Sequence, residues 1–203
     1  MAKLQEFTSI IKKNGLMRTA RYTVEMGRPE IMSRFNYSPV DAETIAILCD
    51  QVQVPGLNYS TTANLSYGET REIPYTRLYD NITMSFYVDN DMLTKKYFDD
   101  WLFSIQNPVT RTFNYYNQYT TDIIIKVEDL NNESPYAVKL FECYPKNISA
   151  ITLDYSTRDV MKLSLTMAYK YWTSEFYSRN TYPVEYFNIV QPEFQSISTG
   201  VTT

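Results

Sequence analysis

The sequence predicts a mainly β protein with one packed helix, an α+β chain built as an antiparallel sandwich or barrel with one long hairpin. Three observations carry this. Strict apolar–polar alternation recurs along the chain, as in DNITMSFYVD (80–89) and VMKLSLTMAYKYW (160–172). Only one segment, NDMLTKKYFDDWLFSIQNP (90–108), switches strongly to a helical period. The 203 residues include 19 Tyr and 10 Phe at 44% hydrophobic content, which supplies a core and favours strands and interfaces.

Taken in order, residues 3–13 fit a short amphipathic helix. Leu4, Phe7, Ile10 and Ile11 share a side, and Gly15 stands where a C-terminal cap is expected. ARYTVEM (20–26) alternates as a strand. GRPEIMSRFNYSPVDAE (27–43) holds two prolines and reads as a loop or insertion. TIAILCDQVQV (44–54) is strand-like and stops at Pro55-Gly56. NYSTTANLSYGETREIPY (58–75) then reads as a long hairpin with Tyr67-Gly68-Glu69 at its tip.

A strand over 80–89 leads into the helix, whose stripe is Leu93, Tyr97, Phe98, Trp101, Leu102 and Ile105. Asn90 or Asp91 caps its start and Pro108 ends it. Residues 109–121 are irregular and aromatic. Strands resume at 122–130, 136–144, 149–155 and 160–172, separated by NNESP, PKN and STRD turns. The body is thus expected over 1–172, with 173–203 an extension that needs a partner to order.

The hairpin is unusual. By the period of two, Asn58, Ser60, Thr62, Asn64 and Ser66 share one face, all small, polar and uncharged. The other face carries Tyr59, Thr61, Ala63, Leu65 and Tyr67. A sheet domain also has edges to manage, and few charges or prolines blunt them here, which suggests pairing with other chains.

Several chemistries find no support. The chain has no histidine, so the commonest general base and metal ligand are missing. Cys49 and Cys143 stand alone in apolar runs and are expected as buried, reduced thiols rather than a disulfide. The five glycines are scattered, so no loop cradles phosphates. Asp99-Asp100 point to different azimuths of the helix and read as surface. Asp89, Asn90 and Asp91 lack the glycine and distal Glu of a calcium loop. The net charge of −4 argues against a grip on nucleic acid. MAKLQEFTSIIKKNG is interrupted by Lys3, Glu6 and Lys12-Lys13, so no signal peptide is expected, nor any membrane insertion. No catalytic residue, cofactor or metal site is expected.

The element order, with QVQVPG (51–56), LYDNITMSFYVDND running into KKYFDDWLFSI (78–105), FECYPKNISAITLDY (141–155) and LSLTMAYKYW (163–172), resembles the tail tube proteins of contractile-tailed bacteriophages, from about Phe7 to Trp172. The resemblance implies six-membered rings whose subunits contribute strands to a common inner β-barrel. The rings would stack into a tube that conducts double-stranded DNA without binding it specifically. Its partners would be other copies, the tail sheath, and baseplate and terminator proteins. The protein would reside in the phage tail of the virion, assembled in the host cytoplasm.

Within that frame, Asn58, Ser60, Thr62, Asn64 and Ser66 are expected to line the lumen, with the Tyr59–Tyr67 face as the other candidate. Tyr67, Gly68, Glu69 and Arg71 are expected to touch the next ring. Lys95, Lys96, Asp99 and Asp100 are expected to face the sheath, with a solvated surface as the alternative. Competing readings are a tube initiator or terminator at baseplate or neck, the tube of a bacterial contractile injection or secretion system, and a small enzyme or carbohydrate-binding jelly roll. The last is disfavoured by the absence of histidine and of converging acids.

Overall fold

A computed structural model describes residues 2–64, 68–130, 134–156 and 158–175. Fourteen elements follow one another: α1 (Ala2–Asn14), β1 (Tyr22–Met26), a 3-10 helix (Glu30–Phe35), α2 (Pro39–Ile47), β2 (Cys49–Val52), β3 (Asn58–Asn64), β4 (Arg71–Leu78), β5 (Ile82–Tyr87), α3 (Leu93–Ile105), α4 (Tyr116–Tyr119), β6 (Thr121–Val127), β7 (Tyr136–Ile148), β8 (Lys162–Ala168) and β9 (Tyr171–Glu175).

The main sheet has the strand order β1-β6-β7-β8-β5-β2, and β9 pairs with β7. All its pairings are antiparallel. The long β7 belongs to two layers. Its first half, Tyr136–Phe141, lies between β6 and β9, and its second half, Tyr144–Ile148, pairs with β8. Between them Glu142 has φ 55°, so the strand bends at this point. The path ends at β1 and β2, which do not pair; the barrel stays open at that seam, bridged by Tyr22 Oη donating to the Cys49 carbonyl at 3.2 Å.

Alternation decides which face is buried. In β5 Ile82, Met84 and Phe86 point inward, and in β8 Leu163, Leu165 and Met167 do the same. Ile123, Ile125, Val138 and Leu140 close the other layer. Helix α3 covers the core with Tyr97, Phe98 and Trp101, all fully buried. Phe98 stacks on Trp101 with centroids 6.1 Å apart, and Trp101 Nε1 donates to the Tyr119 carbonyl at 2.7 Å. The mainly antiparallel β fold with a packed helix is as the sequence predicts.

Some boundaries differ. Residues 27–43, read as a loop or insertion, contain the 3-10 helix and the start of α2. The run 44–54, read as a strand, is helical as far as Ile47 and extended only over Cys49–Val52. The reason is a capping box. Ser38 and Asp41 satisfy each other's backbone N–H groups, with Pro39 at the first helical position, so α2 begins where the prolines suggested a loop. The N-cap position of α3 is Met92, at φ 58° and without a side-chain cap bond, rather than Asn90 or Asp91; Asp89, three residues earlier, accepts at Oδ1 from the Thr94 N–H at 3.3 Å. Pro145 does not end β7, which continues to Ile148, and 149–155 is not a strand. The single strand expected over 160–172 is two, β8 and β9, broken at Tyr169-Lys170. Cys49 and Cys143 are both free, Cys143 buried and Cys49 half-buried.

Candidate assembly surfaces

Strands β3 and β4 form a separate two-stranded sheet. Every described residue of the ribbon is exposed except Ser60, which is half-buried. A hairpin without a third strand or a packed helix is marginal in water. Its root is anchored instead. Trp172 Nε1 donates to the Gly56 carbonyl at 3.1 Å, Tyr79 meets Tyr169 edge-on at 6.2 Å, and Asn58 Nδ2 donates to Asp80.

Cross-strand pairing tells which side chains share a face. Asn58 lies opposite Leu78, Ser60 opposite Thr76, Thr62 opposite Ile73 and Asn64 opposite Arg71. The face of small uncharged residues on β3 is therefore completed on β4 by two apolar side chains, one threonine and one cation. The register shifts between Ser60 and Thr61, leaving Tyr75 without an opposite partner; Ser60 Oγ donates to its hydroxyl at 2.8 Å. The opposite face sets Tyr59 beside Arg77, whose guanidinium lies 5.9 Å from the ring centroid, and Thr61 and Ala63 near Pro74 and Glu72. Leu78, Ile73, Tyr75 and Arg77 were not singled out from sequence. Their pairing depends on the bulge, which the pattern of one strand does not encode.

Ser66 and Tyr67 lie outside the described residues. Gly68 has φ 115° with no atom near a would-be Cβ, and Glu69 and Arg71 are exposed beside it.

Two of the four charges singled out on α3 are spent on each other. Lys95 pairs with Asp99 one turn on, and Asp100 accepts from the Tyr37 hydroxyl at 2.7 Å. Lys96 is exposed and donates to the Asp91 carbonyl at 2.9 Å, while Phe103 stands out from the same helix. A second ion pair, Lys162 with Asp50 at 2.7 Å, lies near the β1–β2 seam; the Lys162 hydrogen bond lowers the Asp50 pKa. Burial pushes the Cys143 thiol up to about 12. Among the described residues, no group of His, Cys, Asp and Glu could hold a metal ion, and no helix is long and apolar enough to cross a membrane.

A family model described as phage tail tube protein matches residues 17–175. No curated protein matches the chain. Among solved structures, the chain is similar to one in the PVC sheath–tube complex of an extracellular contractile injection system in the extended state. That likeness has 18% identity and a TM-score of 0.60, over 83% of this chain and 97% of that one. A chain of the anti-feeding prophage cap, described as a tube-terminating cap, is 16% identical at TM-score 0.58, over 79% of this chain and 91% of that one. A chain of the six-fold symmetrised anti-feeding prophage baseplate is 13% identical at TM-score 0.59, over 79% and 96%. These are likenesses of fold.

Proposed function

The chain belongs to the phage tail tube protein family, and from that premise we propose that it is a non-catalytic subunit that self-assembles into stacked six-membered rings. These rings form the inner tube of a contractile tail, the conduit for DNA delivery into the host. The observation that carries this reading is the ribbon of β3 and β4. It is exposed on both faces, anchored at its root and too small to be stable by itself. A neighbouring subunit supplies the missing strands, and closing a ring of copies removes the sheet edges. The six-fold symmetry of the similar baseplate structure supports the ring number.

In this proposal Asn58, Ser60, Thr62, Asn64 and Ser66 face the lumen. None of the five is a cation, Arg71 is the one cation among the β4 residues that lie opposite them, and the chain is acidic overall, so passing DNA is held only weakly. Tyr67, Gly68, Glu69 and Arg71 meet the next ring. The outer side of α3, around Lys95, Lys96, Asp99 and Asp100, meets the sheath. The tube body, expected from sequence to end at 172, runs on through β9 to Glu175, with the residues after it as the extension, and the protein resides in the virion tail after assembly in the host cytoplasm. Terminator and baseplate proteins close the two ends.

Negative-stain microscopy of the purified protein tests this. Tubes of stacked rings are expected. Single rings that cap a tube without propagating would select an initiator or terminator at neck or baseplate. A strict monomer at high concentration would overturn the assembly reading. Gene neighbours encoding capsid and terminase separate a phage from a bacterial injection system carrying protein cargo.

A further inference from the structure

Strand β9 forms an open edge of its layer. Among the described residues its ladder partner is β7 alone, from Phe141 opposite Tyr171 to Ala137 opposite Glu175. In an antiparallel pair the N–H and C=O groups of every second residue point away from the partner. Those of β9 that turn from β7 meet no strand among the described residues. Tyr171–Ser174 include no charge and no proline, so nothing in the strand blunts this edge. Natural sheets cover or pair an edge of that kind.

The chain leaves the body from this same strand. Residues 176–203 lie outside the described residues, and their sequence holds a run with the marks of a strand. In VEYFNIV (184–190), Val184, Tyr186, Phe187, Ile189 and Val190 are β-branched or aromatic. Pro183 stands immediately before the run and Pro192 shortly after it, so it is bounded on both sides. FYSRNTYP (176–183) joins it to β9 and carries the turn formers Ser178, Asn180 and Pro183.

We propose that residues 184–190 fold back as a further strand on the open edge of β9 in the same copy, and so close that edge. Connection length and direction choose the place. A link as short as 176–183 brings antiparallel neighbours together, whereas a parallel pair needs a crossover of a dozen residues or more. β9 runs in the same sense as β6, because both are antiparallel to β7, and β1 runs the other way. A segment returning from Glu175 is thus antiparallel to β9 but parallel to β1, the free edge on the far side of the layer. To reach β1 it would also have to cross β7 and β6, about 14 Å at about 4.8 Å per strand. The tether decides between copies. A short flexible link holds the segment beside its own β9 at an effective concentration in the millimolar range, above that of free copies in dilute solution. With β9 occupied, pairing between copies is left to the ribbon and to the edges of β1 and β2. The closure of β9 goes beyond the tube reading and does not depend on it.

Hydrogen exchange on the full chain, below the concentration at which it assembles, tests this. The amides of Tyr171–Glu175 that point away from β7 are expected to be protected, equally before and after dilution. Cross-strand Hα–Hα contacts in NMR spectra are expected to join β9 to 184–190. The double variant Phe187→Pro, Asn188→Pro removes two consecutive N–H groups, so one of them faces β9 in either register. In it the outward amides of β9 should exchange about tenfold faster or more, while β8 keeps its rates and reports that the body is folded. Fast exchange of the outward amides in the wild type, or absence of the Hα–Hα contacts, would overturn the proposal. Protection that fades on dilution would overturn it in favour of a strand from another copy. Protection that survives in the proline variant would assign the cover to a different segment. The tube reading is decided separately, by whether rings and tubes appear in micrographs.

Discussion

Trp172, on the last described strand, donates its indole N–H to the carbonyl of Gly56 at 3.1 Å, so β9 holds the root of a ribbon that is otherwise exposed. The two residues are 116 positions apart. Trp172→Phe keeps an aromatic ring, though a smaller one, and removes the donor, at a cost of about 1 kcal/mol because water reaches the freed carbonyl. Amide exchange in β3 and β4 is expected to speed up about fivefold, with the core strands unchanged. Equal exchange rates in the two proteins would show that the ribbon is held by other means.

Trp101 is fully buried between Tyr97 and Phe98 and bonded to Tyr119. Trp101→Ala should cost about 3–5 kcal/mol, read as a lower urea midpoint at unchanged slope. A loss under about 1 kcal/mol would mean that α3 does not roof the core.

At Gly27 an added Cβ would stand 2.5 Å from Thr121 Oγ1. Thr121 is β-branched and stiff about χ1, so Gly27→Ala should destabilise by about 1–3 kcal/mol. Adding Thr121→Ala removes the opposing atom and should restore most of the loss. Failure of that rescue in thermal melts would locate the strain elsewhere.

Gly68 holds φ 115° with nothing near a would-be Cβ. A β-branched side chain is strained there by its own backbone, at about 1–3 kcal/mol. Gly68→Val is expected to leave the core's melting temperature nearly unchanged and to shorten or abolish tubes in electron micrographs. Tubes of normal length would exclude the tip from ring stacking.

Burial raises the Cys143 thiol to about 12, against about 8.5 in an unfolded chain. The folded state therefore keeps a proton that the unfolded state loses. The resulting stability is complete below about pH 8.5 and is lost as pH rises toward 12. At pH 8 Cys143 should react with a thiol reagent only as fast as the protein unfolds. Modification at the rate of a free thiol would place Cys143 outside the core.

Elements whose signal is local were legible. Ile82, Met84 and Phe86 alternate in the chain and are buried in the fold; Tyr97, Phe98 and Trp101 recur at helical spacing and pack as one side. The capping box at Ser38 and Asp41 was equally local, but the prolines flanking it masked its meaning. The continuation of β7 through Pro145 was hidden for another reason. That residue's lack of an N–H is tolerated at a register shift between Pro145 and Asn147, and the shift exists only once β8 is alongside.

The same divide runs through the hairpin. Period two along β3 was sufficient to put Asn58, Ser60, Thr62 and Asn64 on one face, because successive side chains must point to opposite sides. What completes that face, Leu78, Ile73 and Arg71, depends on a bulge at Ser60 and on the partner strand's register. The bend of β7 at Glu142, the unpaired seam between β1 and β2, and the Trp172 anchor on Gly56 likewise arise from contacts between distant segments. Periodicity reports how one segment divides its faces; closure and register are properties of pairs, fixed when the core packs.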